Sequence, residues 1–277
     1  MTAYQMVFCD VDGTLHTPDH ALLDDTKAAV RALKEKGVPF IVSSGRTPRA
    51  LYPVVRELEL DTPVIASNGG YVGEASGKTL FETGFDLAAA LEIRQTASAF
   101  VPDAVCTTYC GTLWIADDAE NPFVRYERGI VGIDPVVGKL EDLAGPSDSV
   151  QKLLYIGPFD LLPGLCAHLR ERFPEYEIFI SNERFLEILP PGISKATGAR
   201  YLCERFGIAP EKTIAFGDGP NDTDLFDFAG MSVAMGNAPD TVKQKARHVT
   251  SSNRENGIAR VLNDVFDLGL SLDGVGK

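Results

Sequence analysis

Short apolar runs alternate with amphipathic stretches at both ends of the chain. Met6-Val7-Phe8, Val38-Pro39-Phe40-Ile41-Val42 and Pro63-Val64-Ile65-Ala66 read as buried strands. Between them, Asp24-Asp25-Thr26 precedes a helical stretch over Lys27–Lys36, with Gly37 as its stop. A second helix is predicted over Pro48–Leu58. Strand, helix, strand, helix, strand is the pattern of a parallel α/β sheet.

The rhythm changes near Gly70. Tyr71-Val72 and Thr79-Leu80-Phe81 flank a Gly/Ser-rich turn, which predicts a hairpin. Helices are predicted over Leu87–Phe100 and Leu161–Phe173, and strands over Gln151–Ile156, Tyr176–Ile180 and Phe185–Leu189. Val105–Ile115 carries short β-type runs around Gly111, and residues 117–149 give no clear period. The α/β rhythm then resumes. A helix is predicted over Lys195–Phe206 and a strand over Thr213–Phe216. A helix to Ala229, a strand Ser232–Met235, a short helix from Asp240 and a final helix from Ile258 follow. The domain expectation is a core of residues 1–83 and 189–277 with an α+β insert of 84–188.

Polar residues of chemical interest stand after strands or at helix starts, where open α/β sheets bind ligands. Asp10 and Asp12 follow the first strand. Side chains alternate along a strand, so both carboxylates should point the same way if the extended geometry persists. Two such carboxylates call for a cation or a proton. Ser44 and Gly45 follow the second strand, Lys195 opens a helix, and Asp218, Asn221 and Asp222 follow a later strand. Together these suit phosphoryl transfer. One carboxylate can be the nucleophile and a second the proton donor. Acidic oxygen ligands suit magnesium. A hydroxyl and a backbone N–H at a helix start can hold phosphate, and a lysine can neutralise its charge. Taken singly, Ser44-Gly45, Asp218 and Asp222 read as helix caps and Lys195 as a solvated first-turn residue.

The set, in order, resembles the haloacid dehalogenase superfamily phosphatases of the Cof-like family with a type IIB cap. The carriers are Asp10-Val11-Asp12-Gly13-Thr14-Leu15, Ser44-Gly45-Arg46, Ile188 to Lys195, and Gly217 to Asp222. The tail from Met235-Gly236-Asn237-Ala238 to Gly257 is similar as well. Pro220 and Thr223–Phe226 depart from the usual pattern without removing a ligand. The resemblance implies a Rossmann-like α/β core with a parallel sheet and an inserted α+β cap that sets substrate specificity. It implies an aspartyl-phosphate on Asp10, proton transfer by Asp12, and Mg2+ held by Asp10, the Asp12 carbonyl and Asp218. Asp222 would anchor the metal or lysine. Val11, Ser44, Gly45, Lys195 and Asn221 would hold phosphate, and Arg46 would contact cap or substrate. The implied substrate is a small phosphomonoester such as a sugar phosphate. A phosphotransferase or mutase would use the same aspartyl-phosphate, and a non-catalytic phosphate sensor is a further alternative.

Charge narrows the partners. Twenty-six basic against thirty-nine acidic residues give a net −13, which argues against broad nucleic-acid binding. A local cation can still receive an anionic substrate. No apolar run approaches the ~20 residues of a membrane helix. The N-terminus carries no leader pattern, so a cytoplasmic protein without a membrane partner is expected. The five cysteines form no CxxC pair and are expected as buried thiols. Gly73–Thr79 has three residues between its glycines rather than the four of a P-loop, and reads as a turn. The four histidines, His16, His20, His168 and His248, are scattered and receive no chemistry, and Trp114 reads as core. The pattern specifies no oligomeric state.

Overall fold

The first apolar run forms strand β1 (Met6–Cys9), with all four residues buried. The computed structural model describes residues 4–158 and 160–272. Helix α1 (Asp24–Glu35) returns the chain to β2 (Phe40–Ser43), and α2 (Pro48–Glu57) leads to β3 (Val64–Ala66). The hairpin β4 (Tyr71–Gly73) and β5 (Thr79–Glu82) follows, with Gly73–Thr79 as its turn. Asp24 and Asp25 were expected ahead of the first helix. They lie inside its first turn, Leu23 is the cap residue, and no side chain caps the end. There the acidic pair acts through the helix dipole. Gly37 stands just past the helix at φ +72°, the left-handed conformation expected of a glycine stop.

An inserted segment holds α3 (Leu87–Phe100), the hairpin β6 (Val105–Cys110) and β7 (Leu113–Ala116), α4 (Pro122–Val131), β8 (Val136–Val137) and α5 (Leu140–Leu143). It ends with β9 (Val150–Ile156), α6 (Leu162–Arg172), β10 (Glu177–Asn182) and β11 (Phe185–Leu189). The chain then adds α7 (Lys195–Phe206), β12 (Thr213–Gly217), α8 (Thr223–Phe228), β13 (Met231–Ala234), α9 (Asp240–Lys243), β14 (His248–Val249) and α10 (Gly257–Phe266).

Packing divides the described chain into two units, one of 4–45, 51–80 and 194–272 and the other of 46–50 and 81–193. The first is built on an eight-stranded sheet in the order β14-β13-β12-β1-β2-β3-β4-β5. Pairing is parallel from β14 to β3 and turns antiparallel at β4. β1 lies between β12 and β2, so the chain leaves it in opposite directions on the two sides. That reversal point is where such sheets open a crevice at the strands' carboxyl ends. Val30 and Leu33 of α1, Leu51 and Val54 of α2, and Ile258, Leu262 and Phe266 of α10 pack on the strand residues Val7, Cys9, Phe40, Val42, Ile214 and Phe216. α7 approaches the sheet closely: a Cβ on Gly198 would stand 2.7 Å from Ile65.

The second unit carries a six-stranded sheet in the order β10-β11-β9-β6-β7-β8. It is antiparallel except for β7 with β8. Ile93 and Ala97 of α3 and Leu165 and Leu169 of α6 pack with Leu153, Tyr155, Leu186 and Ile188 of the sheet. Trp114, Tyr109, Val124, Val131 and Ala50 form a second apolar cluster of this unit. α4 falls in the stretch that gave no clear period. Asn121 caps it by accepting from the Phe123 N–H at 2.9 Å, and Gly132 ends it at φ +75°. All five cysteines are thiols, four of them buried. No helix among the described residues is long and apolar enough to cross a membrane.

Candidate active site

The site begins where β1 ends. The Asp10 N–H donates to the Phe216 carbonyl at 3.0 Å, which extends the β1–β12 ladder by one residue. A wide turn over Val11–Leu15 then leaves the strand, with Gly13 at φ +80°. A Cβ on Gly13 would lie 2.1 Å from an Asp218 oxygen, so only glycine allows the β1 turn and the β12 loop to come this close.

β1 ends at Cys9 and the turn follows Asp10, so strand alternation does not set the direction of Asp12; its charge still acts on Asp10 and Asp218, raising both. Asp10 is buried and gathers with Asp218 and Asp222, their ligand oxygens within 4.8 Å of one another. Asp12 is exposed, and its carboxylate lies beside His16 and His20.

Lys195 is fully buried at the first position of α7. Its Nζ donates to Asp10 Oδ1 at 2.5 Å and to Asp222 Oδ1 at 2.6 Å. A cation at a helix N-terminus opposes the dipole. The two carboxylates override that, and they hold the lysine as ammonium, its pKa raised despite burial. Burial pushes Asp10 well up, Lys195 pulls against it, and Asp222 adds to the rise. Asp218 is pushed up to about 6, first by burial, with the Thr14 hydroxyl bonded to it at 2.9 Å opposing.

Asp222 is an organiser. Its Oδ2 accepts from the backbone N–H groups of Asp218 at 3.1 Å and Gly219 at 2.9 Å, while Oδ1 receives Lys195. That leaves Asp10 and Asp218 as the carboxylates with oxygen to offer a hard dication. An oxygen-only acidic set of this kind fits magnesium, an ion that takes its remaining ligands from water and phosphate.

Ser44 is buried beyond β2, its N–H donating to the Ile65 carbonyl at 2.9 Å. Gly45 is half-buried, and a Cβ there would meet Asn68 Oδ1 at 3.0 Å. Asn221 is exposed and donates through Nδ2 to that same Asn68 oxygen at 3.0 Å. Val11 is buried in the turn, and Arg46 is half-buried at the start of the second unit's 46–50 segment. Asn68 was not singled out in the sequence. Its signal was there, however: it stands in Ser67-Asn68-Gly69, after β3, and takes φ +54°. Thr14 and Asn237 were also missed as site residues. Asn237 Nδ2 donates to the Gly13 carbonyl at 2.7 Å and so ties the tail to the β1 turn. His16 and His20 were set aside as scattered, although their four-residue spacing next to Asp12 was a signal.

Residues 7–262 match the family model described as haloacid dehalogenase-like hydrolase. A Haemophilus influenzae protein provisionally named a phosphatase is 32% identical over 263 residues, covering 95% of this chain and 98% of its own length. A Bacillus subtilis 5-amino-6-(5-phospho-D-ribitylamino)uracil phosphatase is 26% identical over 268 residues, covering 95% and 98%. Among solved structures, a haloacid dehalogenase-like hydrolase from Bacteroides thetaiotaomicron superposes with a TM-score of 0.83 at 28% identity, covering 95% of this chain and 100% of that one. By sequence and by fold, this chain belongs to the haloacid dehalogenase-like hydrolases.

Proposed function

We propose that this protein is a magnesium-dependent phosphatase that hydrolyses a small phosphomonoester through an aspartyl-phosphate on Asp10. The observation that carries the reading is the group of buried Asp10, Lys195 and Asp222 with half-buried Asp218 at the carboxyl end of the central strands. An anionic substrate reaching Asp10 meets a fixed ammonium in a poorly solvated place, where its charge counts most.

Asp10 attacks the phosphorus, and the P–O bond to the leaving group breaks. Asp12 gives its proton to the departing oxygen. Its exposure lets it exchange that proton with water or substrate. In the second half Asp12 takes a proton from water, the water oxygen attacks phosphorus, and the bond to Asp10 breaks to release inorganic phosphate. Lys195 holds a phosphoryl oxygen throughout, and the backbone N–H groups of Val11 and Gly45, with Ser44 and Asn221, complete the cradle. Asp10, the Asp12 carbonyl and Asp218 would hold magnesium, which neutralises charge on the transferring group. Asp222 keeps Lys195 and the 218–219 backbone in place. The inserted unit, with Arg46, would discriminate among esters, and a sugar phosphate or similar metabolite is the substrate class. The activity named for the Bacillus subtilis relative, on a phosphorylated small molecule, supports that class.

The test is a panel of phosphomonoesters assayed for released phosphate with and without magnesium, repeated on Asp10→Asn. Turnover should need magnesium and fall by roughly a thousandfold or more in the variant. Full hydrolysis by Asp10→Asn would end the nucleophile assignment. Transfer of the phosphoryl group to a sugar instead of water would point to the phosphotransferase.

A further inference from the structure

We infer that Asp12, His16 and His20 form a second metal site, selective for a transition-metal dication of the zinc class and distinct from the carboxylate site at Asp10. One ring nitrogen from each histidine and one oxygen of Asp12 lie within 4.8 Å of one another. The loop that brings them together is ordered. The Thr17 N–H donates to the Ala21 carbonyl at 3.0 Å and the His20 N–H to the Thr17 carbonyl at 2.9 Å. The Ala21 N–H also donates to Thr17 Oγ1 at 3.2 Å. His20 takes φ +57°, which turns the chain back on itself. The two rings meet edge to face, their centroids 6.2 Å apart. From the far side, Asn253 Nδ2 fixes the His16 carbonyl at 2.7 Å.

The donor chemistry separates this group from its neighbour. Asp10, Asp218 and Asp222 offer oxygen only, which suits a hard ion. Two imidazoles and a carboxylate suit zinc, copper or nickel, and bind magnesium poorly. On one tetrahedral ion with bonds of ~2.0–2.1 Å, ligand atoms stand roughly 3.3 Å apart. Closing from 4.8 Å takes rotations of Asp12 and His20, both exposed. Three protein ligands leave a fourth position for water. Occupancy engages the Asp12 carboxylate, so zinc should inhibit turnover while magnesium stays bound. That inhibitory half rests on the proposed acid/base role of Asp12; the binding half does not.

The experiment titrates zinc chloride into the full chain under saturating magnesium, by calorimetry, and repeats it on His20→Asn. Asparagine tolerates the positive φ. Wild type should bind one zinc per chain, and the variant should bind it at least tenfold more weakly while keeping its magnesium-dependent turnover. Cobalt should give a tetrahedral visible spectrum in the wild type that the variant loses. The concentration of zinc that halves turnover should rise in parallel with the loss of binding. Absence of zinc binding in the wild type, or equal binding by the variant, overturns the site. Binding through His20 that leaves turnover unchanged supports the site and overturns the inhibitory half. A chain with no phosphatase activity at all leaves the calorimetric result decisive for the site.

Discussion

Each unit buries a cluster of charged and polar groups, and the two clusters solve that problem differently. In the first unit, Lys195 stands between Asp10 and Asp222, and Asp222 is also held by two backbone N–H groups. The charges are kept and paired. In the second unit, Glu127 of α4 is 1% exposed and accepts from Thr107 Oγ1 at 2.8 Å and Tyr109 Oη at 2.9 Å. Burial pushes it up to about 7, with Thr107, Lys152 and Tyr109 pulling the other way. Lys152 pairs with Glu187 at 3.3 Å, and its ammonium lies 4.2 Å from the Tyr109 ring centroid. The first cluster is therefore an ionic one, with Lys195 held as ammonium between two carboxylates. The second is a hydrogen-bonded one in which the carboxylate gains stability by taking a proton. A buried charge must be paired or neutralised; the first unit pairs its charges, and the second does both, pairing Lys152 with Glu187 and favouring the neutral form of Glu127.

The sharpest way to break the comparison is Lys195→Met. Two buried carboxylates would lose their partner, which should destabilise the first unit by about 3–5 kcal/mol and abolish the proposed turnover. Urea unfolding in magnesium-free buffer, with a phosphate-release assay, checks both. A variant as stable as wild type would mean that the pair is not held as ions.

Glu127→Gln probes the other cluster. Its folded pKa lies above the usual carboxylate value, so the folded state holds the proton more tightly than the unfolded chain. The stabilisation is full below about 4.5 and is lost as pH rises through about 7. At one pKa unit per 1.36 kcal/mol, the loss across that window is about 3 kcal/mol. Wild type should lose stability between pH 4.5 and 7.5, and the variant should lose less by about that amount. Denaturant melts at several pH values, followed by the lone Trp114 in this unit, would read the difference. Identical slopes would reject the proton-sharing account.

Gly69→Ala returns to the first unit. Gly69 takes φ +95°, and a Cβ there would stand 1.9 Å from the Ser194 carbonyl, at the residue before Lys195. Strain of about 1–3 kcal/mol is expected. The displaced α7 start should also weaken magnesium-dependent turnover. Unchanged thermal stability together with unchanged turnover would show that the close approach is unimportant.

The smallest effect belongs to Arg172→Ala. Arg172 and Glu92 pair at 3.3 Å, each more than half exposed. The change in thermal stability should stay below about 0.5 kcal/mol, and salt should erase it. A larger loss would mean that a surface pair contributes as a buried one does.

The contrast also explains what could be read in advance. Asp10, Ser44 and Asp218 each follow a strand of continuous apolar residues, so a parallel-sheet pattern marked them together. Lys195 stood out because a lysine at a helix start needs an anionic partner. The second cluster has no such signal. Thr107 and Tyr109 are i and i+2 on β6, Glu127 lies on α4, Lys152 on β9 and Glu187 on β11. Glu127 sits on the buried face of α4 between Val124 and Val131, and a charged residue there breaks the apolar period by which a helix is recognised. The Asn121 cap and the Gly132 stop were present but had no period to enclose.

By itself, the sequence determined the alternation of buried strands and amphipathic helices and the residues that end up beyond the strands. Those follow from local periodicity and from turn residues, which act over a few positions. The tertiary structure decided how those residues divide. It buried Asp10 against Lys195 and left Asp12 exposed beside His16 and His20, because the wide turn after β1 ends the strand's alternation. It made Asp222 an organiser rather than an open ligand, because Lys195 and two N–H groups claim its oxygens. It raised Glu127 towards neutrality, because strands distant in sequence close around it and exclude water. Each of these depends on groups brought together across long stretches of chain, and no local pattern carries that information.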